Sequence, residues 1–372
     1  MKAKRVLVLT HHGGGGVRLF RQQWALEHDA ELLILYVREQ KLILTEGETE
    51  SEWPLTVLDS PAFLQRLKCS PVEAVMIDHV WGFPLERLLS FLELFRQPYD
   101  LHIHDYLAAC PQLFFITPKG HYCGQEKEVR ICRHCSKAGI GRRLIEEMVG
   151  RACSIDEWRR WQLALLQKAR RIIVPSYSAK EVMQGYFPGL NYEVQPHPVH
   201  RRQLNNDEAK RSGELRIGIV GHMAVHKGSR EVLELIGKLE RRRLPVKLFL
   251  YGNADHLLAK KASPVFIQRG EFQRDQLPVL LAADQIDLVL IPSICPETFS
   301  YTTHEALSSG YPVLCFELGA QAEAVQKVEG GWAVTPFHAE ALYQKIAGLV
   351  RQPEEVLEAA SRLQESGRAE DS

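Results

Sequence analysis

Residues 291–310 read IPSICPETFSYTTHEALSSG, and the organisation of the whole chain can be worked out from them. The apolar run before this stretch predicts a strand that ends at Ile291, followed by a turn-rich segment and a short helix. Gly310 is placed to close that helix, because helices often end at a residue in the left-handed conformation, which glycine adopts without strain. A strand, a turn and a helix in this order indicate an α/β fold.

Two carboxylates stand in this stretch, Glu297 in the predicted turn and Glu305 in the predicted helix. The N–H groups of Phe299 and Ser300 lie at the start of that helix, where the backbone dipoles favour anions and above all phosphate. A phosphate site flanked by two carboxylates that bind hydroxyl groups would suit a nucleotide-sugar. The alternative is a helix with two ordinary surface glutamates, and the spacing by itself favours that alternative.

Length and composition describe a globular protein of two domains. The chain has 372 residues, of which 45% are hydrophobic, and this length suits two domains of ordinary size. Lysine plus arginine and aspartate plus glutamate both number 46, so no net charge draws the protein to nucleic acid. No apolar run approaches the roughly 18 residues that span a membrane, and the N-terminus lacks the apolar segment of a signal peptide. We therefore expect a cytoplasmic protein whose eight cysteines are reduced, metal-bound or buried.

The first half of the sequence alternates between strand and helix patterns, which predicts a parallel sheet with crossover helices. The predicted strands are RVLVLT (5–10), LLILYV (32–37), EAVMIDHV (73–80), YDLHIHD (99–105) and RIIVPS (171–176), and the predicted helices are PLERLLSFLELF (84–95) and SAKEVMQGYF (178–187), the latter with Ser178 as N-cap. Polar residues cluster where these strands end, at His11, Asp78, His104 and Ser176. Ligands of open parallel sheets bind at these carboxyl ends.

A glycine-rich segment, HHGGGG (11–16), follows the first predicted strand. Its glycines, among them Gly14, Gly15 and Gly16, let the backbone approach a ligand and offer N–H groups to a phosphate or a sugar. The spacing does not match the G-x-G-x-x-G pattern of dinucleotide-binding proteins. A flexible turn is an equally good interpretation of the segment alone.

The alternation stops at residues 191–214, which hold prolines, few apolar residues and a run of charges, and it restarts afterwards. Strands are predicted at 215–221, 246–252, 265–270, 287–293, 311–316 and 331–336, with helices at 229–242, 275–283, 301–309, 320–327 and 338–350. We therefore predict an N-terminal α/β domain at 1–198, a linker at 199–214, a C-terminal α/β domain at 215–352, and a final helix with a frayed tail at 353–372. Two such domains would face each other across a cleft.

The second half resembles the GT-B glycosyltransferases, and glycosyltransferase family 4 in particular. GHMAVHKG (221–228) resembles the loop of that family in which a glycine is followed, after five residues, by Lys-Gly. Glu297 and Glu305, within PETFSYTTHEALSSGYPVLCF, resemble its Glu-x7-Glu signature. The likeness covers the whole second half and, more loosely, the sheet pattern and glycine loop of the first half. It implies two Rossmann-like domains and a retaining transfer of a sugar from a nucleotide-sugar donor, with no cofactor or metal required for catalysis.

The resemblance also implies roles for individual residues. Lys227 matches the lysine that neutralises the diphosphate, where a cation held in place stabilises the charge that develops as the glycosidic bond breaks. Glu305 matches the glutamate that binds the ribose, and Glu297 matches the one near the donor sugar or its phosphate. His104 resembles a first-domain histidine that approaches the donor sugar. Catalytic roles thus fall on His104, Lys227 and Glu297, and donor-binding roles on Gly14, Gly15, Gly16, Gly221, His222, Lys227, Phe299, Ser300 and Glu305.

One position departs from the family pattern. The family commonly has an arginine near the start of this loop, whereas Gly221 is followed here by His222. Histidine is a cation only when it is protonated. Either the bound diphosphate protonates His222, or a residue such as Arg18 or His226 supplies the charge. No residue can be named as the catalytic base.

Four cysteines in the first half, Cys110, Cys123, Cys132 and Cys135, form the pattern C-x12-C-x8-C-x2-C. A Cys-x2-Cys pair places two thiolates within reach of one tetrahedral ion, and two further cysteines complete four ligands. Neighbouring lysines and arginines should favour the thiolate form. We expect a structural zinc site that folds a small cysteine-rich insertion at about 106–140; an iron–sulfur cluster and free, partly buried cysteines are the alternatives. The run resembles an insertion in some bacterial surface-polysaccharide glycosyltransferases of this group.

Residues 141–171 combine many arginines with Trp158, Trp161 and several leucines. Such a segment could meet anionic lipid head groups or a lipid-linked diphosphate. A packed pair of amphipathic helices with solvated arginines is the interpretation we favour. If the acceptor is lipid-linked, peripheral contact with the inner face of the membrane would follow.

These patterns together predict an enzyme that moves a hexose-type sugar from a nucleotide-sugar donor to a glycan or lipid-linked acceptor, in the synthesis of a surface polysaccharide or lipopolysaccharide. Two alternatives stay open. The chain could be a non-catalytic GT-B subunit that binds a nucleotide-sugar or a glycan, an alternative that His222 keeps open. It could also be a nucleotide-sugar epimerase of the same fold.

Overall fold

The computed structural model of the chain describes residues 4–69, 72–199 and 213–370. The chain divides into two compact units, Met1–Pro198 and Val199–Ser372. The predicted linker at 199–214 lies outside the described residues except at its two ends. Each unit is built on one open sheet, and helices connect most of its consecutive strands.

The first unit alternates strands with helices along most of its length. Its strands are β1 (Lys4–Leu9), β2 (Ala30–Arg38), β3 (Lys41–Glu46), β4 (Thr49–Pro54), β5 (Ala74–Ile77), β6 (Tyr99–His102), β7 (Arg171–Val174) and β8 (Tyr192–Val194). Its helices are α1 (Gly16–Glu27), α2 (Pro61–Cys69), α3 (Leu85–Phe95), α4 (Val129–Cys135), α5 (Gly139–Val149), α6 (Ile155–Lys168) and α7 (Tyr177–Tyr186).

The sheet of the first unit has eight strands in the order β4-β3-β2-β1-β5-β6-β7-β8. Six adjacent strands run parallel to one another: β2, β1, β5, β6, β7 and β8. The strands β3 and β4 add an antiparallel hairpin at the β2 edge. Because β1 lies between β2 and β5, the chain reverses the direction in which it adds strands at that point. The carboxyl ends of β1 and β5 therefore form the place where an open α/β sheet binds its ligand.

Burial explains why the parallel strands were visible in the sequence and the hairpin was not. Leu7 and Leu9 of β1 are fully buried, as expected for a strand covered on both faces. In β4, by contrast, Glu50 and Glu52 are exposed, and the strand has no continuous apolar run. The strands β3 and β4 are thus additions to the predicted fold. β3 buries Leu42, Ile43 and Leu44, whereas β4, at the edge of the sheet, has no buried residue.

The second unit repeats the alternation with a smaller sheet. Its strands are β9 (Leu215–Val220), β10 (Val246–Tyr251), β11 (Phe266–Gly270), β12 (Leu288–Ile291), β13 (Val313–Phe316) and β14 (Gly331–Val334). Its helices are α8 (Ser229–Arg242), α9 (His256–Ala259), α10 (Leu277–Ala283), α11 (Tyr301–Ser308), α12 (Gly319–Lys327), α13 (Ala339–Arg351) and α14 (Glu354–Glu370), and short 3-10 helices lie at Val225–Lys227 and Arg274–Gln276.

All neighbouring strands of the second sheet are parallel, in the order β11-β10-β9-β12-β13-β14. The direction of strand addition reverses between β9 and β12. The strands and helices predicted for this half are all present, with bounds within about two residues of those expected from apolar periodicity. The short helix α9 was not predicted.

Two local predictions need correction or extension. The N-cap of α7 is Ser176 rather than Ser178, because the Ser176 hydroxyl accepts a hydrogen bond from the Ala179 N–H at 3.0 Å. Ser178 already lies inside the first turn of the helix. At the other end of the chain, α14 continues to Glu370, well into the segment for which the sequence predicts a frayed tail.

Candidate functional site

The candidate site of the second unit lies where strand addition reverses. β9 and β12 are neighbours, with Leu288 paired to Ile217 and Leu290 to Ile219. The segment 221–228 follows β9, and the segment 292–300 follows β12. Both segments therefore leave the sheet at adjacent carboxyl ends, which is the usual position of a ligand site in this class of sheet.

Gly228 allows these two loops to touch. Its φ is +82°, and a Cβ atom added to it would lie 1.9 Å from the Pro292 carbonyl oxygen. Only glycine fits this backbone conformation at this distance. Nearby, the Ile294 N–H donates a hydrogen bond to the His226 carbonyl oxygen at 3.1 Å. The two loops are therefore joined through their backbones.

Lys227 and Glu297 form an ion pair across the two loops, with Nζ 2.8 Å from Oε1. The Ser293 hydroxyl donates to the same carboxylate oxygen. Burial by itself would raise the pKa of Glu297, but the Lys227 charge and the hydrogen bonds from Lys227, Ser293 and Ser300 outweigh it and lower that pKa. Burial likewise opposes the charge of Lys227, yet Glu297 raises the pKa of the ammonium above its usual value. Both groups are therefore charged at neutral pH.

The backbone around Glu297 is held by a residue that the sequence analysis did not single out. Gln321 of α12 is fully buried; its Oε1 accepts from the Glu297 N–H at 3.1 Å, and its Nε2 donates to the Cys295 carbonyl oxygen at 3.0 Å. The Ala320 N–H also donates to the Glu297 carbonyl oxygen at 2.9 Å. The signal could have been an amide side chain between two small apolar residues, Ala320 and Ala322, since buried amides need partners.

Helix α11 begins at this site with an unusual N-terminus. The residue before it, Ser300, has a left-handed backbone with φ 65°, and no side chain caps this end. The other end closes as predicted: Gly310 has φ +82°, its N–H donates to the Leu307 carbonyl oxygen at 3.0 Å, and the Tyr311 N–H donates to the Ala306 carbonyl oxygen at 3.0 Å. The positive end of the helix dipole thus lies beside Glu297 and Lys227.

Glu305 is held by a cation from another part of the chain. The Arg274 guanidinium donates to its carboxylate and lies 4.9 Å from the centre of the Tyr301 ring. Arg274 begins the short 3-10 helix after β11, and no sequence pattern pointed to it. Any polyol that binds Glu305 would share the carboxylate with this guanidinium.

Of the residues suggested to compensate for the missing arginine, His226 does not qualify. Burial, followed by the charge of Lys227, lowers the pKa of His226 to about 4, so the ring is neutral at pH 7. His222 is exposed and Gly221, before it, has φ +110° with open space around its missing Cβ. His222 is therefore free to approach an anion that enters from solvent.

In the first unit, the glycine-rich segment leads directly into α1. Gly15 is the N-cap of this helix with φ 80°, and α1 begins at Gly16. A Cβ on Gly14 or Gly15 would meet no atom within 4 Å. The segment therefore has the open backbone that ligand binding requires, although the same openness suits a flexible turn.

His104 lies in a different environment from the one expected of a residue that approaches a sugar. Its side chain is only 3% exposed, and Nε2 lies 3.5 Å from Oδ1 of Asp78, whose carboxylate is fully buried. The ring also packs against Phe20, with centroids 4.8 Å apart. In the arrangement described, His104 faces the interior of the first unit.

The four cysteines of the insertion do not form a preassembled metal centre. Among the described residues, the one group of three or more potential ligands whose atoms lie within 4.8 Å of one another is in a different place. A tetrahedral site with zinc–sulfur bonds of about 2.3 Å needs sulfurs about 3.8 Å apart, so these sulfurs would have to move closer together to bind zinc. Burial raises the pKa of Cys110 to about 12 and also raises the pKa of Cys132 and Cys135. The expectation that basic neighbours favour thiolates is therefore wrong: Arg159 lowers the pKa of Cys132, but burial outweighs it. Zinc binding by these cysteines stays a prediction.

The arginine-rich segment forms two helices, α5 and α6, whose buried residues pack into the core of the first unit, as the favoured interpretation expects. Trp158 is fully buried, and its Nε1 donates to the Leu107 carbonyl oxygen at 3.0 Å. Arg159 donates to the Ala109 carbonyl oxygen at 2.9 Å and lies 4.8 Å from the centre of the Tyr186 ring. Within the described part of the chain, no helix is both long and apolar enough to cross a bilayer.

Comparison with known proteins adds a family and several structural relatives. Residues 214–352 match the family model for Glycosyl transferases group 1. No curated protein sequence matches the chain. Sucrose-phosphate synthase from Thermosynechococcus elongatus has a TM-score of 0.66 at 14% identity, over 98% of this chain and 94% of that one. WaaG, a glycosyltransferase involved in lipopolysaccharide biosynthesis, has a TM-score of 0.62 at 14% identity, over 98% and 95%. Anabaena Alr3699/HepE in complex with UDP-glucose has a TM-score of 0.59 at 16% identity, over 98% and 94%.

These relatives share the two Rossmann-like α/β units over nearly the whole chain, so the protein has the GT-B fold. The family match then makes the identification more specific: the protein is a glycosyltransferase of the GT-B type, and its second unit is a group 1 domain. The fold, the resemblance and the enzyme class predicted from the sequence are confirmed.

Proposed function

We propose that the protein is a retaining glycosyltransferase that moves a hexose-type sugar from a nucleotide-sugar to a glycan or lipid-linked acceptor. The observation that carries the proposal is the Glu297 carboxylate, which links Lys227 in the loop after β9 to Ser300 at the start of α11. A cation and a helix N-terminus thus meet at one point, and a diphosphate binds well to both. The likeness to HepE, solved with UDP-glucose, and to WaaG supports a nucleotide-sugar donor and a role in surface polysaccharide or lipopolysaccharide synthesis.

In this proposal Lys227 stabilises the leaving diphosphate. Negative charge grows on the diphosphate as its bond to the sugar breaks, and an ammonium group already held in place stabilises it with little reorganisation. Glu297 holds that ammonium group through the 2.8 Å ion pair. Because its own pKa is lowered, Glu297 is ionised at neutral pH and acts as a hydrogen-bond acceptor for a sugar hydroxyl rather than as an acid. No divalent cation takes part in the proposed transfer.

Glu305 would bind the ribose of the donor. Its carboxylate accepts a hydrogen bond from Arg274 in the structure, so the two ribose hydroxyl groups would have to replace that contact or share it. Arg274 is thereby a candidate for controlling how tightly the nucleotide binds. His104, which faces Asp78 inside the first unit, is not part of the donor site that we propose.

The proposal can be tested with two substitutions and a matched control. Lys227→Met and Glu305→Gln should each lower the rate of nucleoside diphosphate release from a UDP-hexose by about 100-fold or more, because each removes a contact to the donor. Glu355→Gln removes a carboxylate that pairs with Lys345 at 2.7 Å outside the site, and its rate should be unchanged. Wild-type rates in the two site variants would contradict the proposal.

The donor and the two rival functions can be separated in the same preparation. A thermal-shift series with UDP-, GDP- and dTDP-sugars should identify the base, since a ligand that binds the native state raises the unfolding temperature. Binding without transfer to any acceptor would favour the non-catalytic alternative. An isomerised free sugar or nucleotide-sugar, formed without acceptor, would favour the epimerase.

If the acceptor is lipid-linked, the protein would bind the cytoplasmic face of a membrane. Arg142 and Arg143 of α5 are exposed and supply cationic surface, whereas Trp158 is buried and cannot insert into lipid. Co-sedimentation with anionic vesicles should then fall in the double variant Arg142→Ala, Arg143→Ala. Equal sedimentation of both proteins would remove these arginines from the proposal.

A further inference from the structure

Three potential metal ligands converge in the first unit, outside both the donor site and the cysteine insertion. Asp78 follows β5, His102 ends the neighbouring strand β6, and His104 follows two residues later. Their ligand atoms all lie within 4.8 Å of one another. From Oδ1 of Asp78 the distance is 3.9 Å to Nδ1 of His102 and 3.5 Å to Nε2 of His104.

The Asp78 carboxylate is the part of this cluster that the protein alone does not satisfy. The side chain is fully buried, and neither of its oxygens has a hydrogen-bond partner among the described residues. Arg21, whose charge interacts with Asp78, donates its 3.1 Å hydrogen bond to the Thr10 hydroxyl instead. A buried carboxylate without hydrogen bonds is unfavourable, so a cation is the expected partner.

The surroundings also have room for a cation. A cavity of about 40 Å³ is lined by Asp78, His102 and His104, and a water molecule needs only roughly 10–15 Å³ by the same measure. Phe20 packs on both imidazole rings, at 4.9 Å from His102 and 4.8 Å from His104, and so limits their movement. The cavity therefore has room for an ion beside the three ligands, and Phe20 holds the two rings in place.

The ligand types and spacings match zinc. Zinc is bound by histidine nitrogens and carboxylate oxygens at about 2.0–2.1 Å, which places tetrahedral ligand atoms about 3.4 Å apart. The two distances from Asp78, 3.5 and 3.9 Å, lie close to this value, and the third separation is within 4.8 Å. Calcium and magnesium prefer oxygen ligands, so two imidazoles favour a transition metal.

We propose that Asp78, His102 and His104 bind one zinc ion, with a water molecule from the cavity as fourth ligand. The ion would join the ends of β5 and β6 and hold His104 in its inward position. This site is independent of the proposed sugar transfer, in which no metal takes part. It also differs from the cysteine site that the sequence predicts, so the two can be told apart by variants.

The test is metal analysis of the full chain purified without chelator and dialysed against a low concentration of zinc. We expect about one zinc per chain in the variant Cys110→Ser, Cys123→Ser, Cys132→Ser, Cys135→Ser, and at least that amount in the wild type. Asp78→Asn keeps the shape of the side chain and should lose the zinc. The proposal is overturned if the wild type binds no zinc, or if zinc is kept in Asp78→Asn and lost in the serine variant.

A second measurement needs no variant and so does not depend on how Asp78→Asn folds. Cobalt(II) in place of zinc reports its ligands by its absorption spectrum. Nitrogen and oxygen ligands, as at Asp78, His102 and His104, should give visible d–d bands without the near-ultraviolet charge-transfer band of a thiolate. One bound cobalt per chain with a thiolate charge-transfer band, or no cobalt bound at all, would overturn the proposal.

Discussion

Removing the Lys227 ammonium should destabilise the second unit through Glu297. The carboxylate side chain is 12% exposed and the lysine side chain 38% exposed, so the pair lies between a buried and a surface ion pair. A fully buried pair costs about 3–5 kcal/mol to break, and a surface pair about 0–1 kcal/mol. Ser293 would still donate to the carboxylate in the variant. We therefore expect Lys227→Met to lower the free energy of unfolding by about 2 kcal/mol at pH 7.

The loss of stability in Lys227→Met should depend on pH, and the direction of that dependence follows from the pKa of Glu297. In the wild type the folded pKa of Glu297 is below its unfolded value, so the carboxylate adds stability above that unfolded value, and this stability is lost as the pH falls through the folded pKa. Without Lys227, burial becomes the leading influence and raises the folded pKa. The variant then gains stability on acidification. The difference between the two proteins should narrow as the pH is lowered from 7 to 4.

Urea denaturation of the full chain at both pH values measures these free energies. The double variant Lys227→Met, Glu297→Gln is the control, because it removes the buried charge together with its partner. It should recover most of the stability that the single variant loses. The reasoning is refuted if Lys227→Met is as stable as the wild type, if its loss is the same at pH 7 and pH 4, or if the double variant is no more stable than the single one.

Three further predictions follow from individual contacts. Gly228→Ala should cost about 3 kcal/mol in unfolding free energy, because its Cβ would meet a carbonyl oxygen at 1.9 Å. Gly310→Ala is the control: Gly310 has the same φ of +82° but open space around it, so the substitution should cost about 1 kcal/mol. Equal costs would show that the loops are not in contact. Trp158→Ala should lower the unfolding free energy by about 3–5 kcal/mol, since the indole is fully buried; a thermal-shift change near zero would mean that the ring faces solvent or lipid instead. Arg274→Ala should change the free energy of unfolding by less than about 1 kcal/mol, because the arginine side chain is 42% exposed. The variant should also lower the KM for the donor by up to about fivefold, because it releases Glu305. A raised KM would mean that the guanidinium itself binds the nucleotide.

The elements of the second unit could be predicted closely because each buried strand is a short apolar run bounded by turn residues. Glu297 could be found because it lies in the turn after a recognisable strand, and Lys227 because its loop resembles the family's glycine–lysine loop. Gln321 and Arg274 could not, because they reach the site from α12 and from the short 3-10 helix after β11. Their contribution depends on how distant segments pack together, and no local pattern records that.

In the first unit, too, the sequence predicts the position of a residue along the chain but not its contacts with distant segments. The position of His104 at the end of a strand was predicted, but the direction of its ring was not. That direction depends on Asp78 and Phe20, which belong to different elements. Similarly, the spacing of the four cysteines predicts a metal site, yet spacing along the chain does not measure distances between sulfur atoms.

The hairpin at the edge of the first sheet affects how the protein behaves in a crowded solution. Any open sheet ends in a strand whose free N–H and C=O groups can pair with another chain and start aggregation. Here that outermost strand is β4, which exposes Glu50 and Glu52 and ends at Pro54. A second copy that approached this edge would meet carboxylates already paired with Arg38 and Lys41, and then a residue without an N–H to donate. The hairpin that the sequence analysis did not predict thus disfavours edge-to-edge pairing between copies of the protein at this edge.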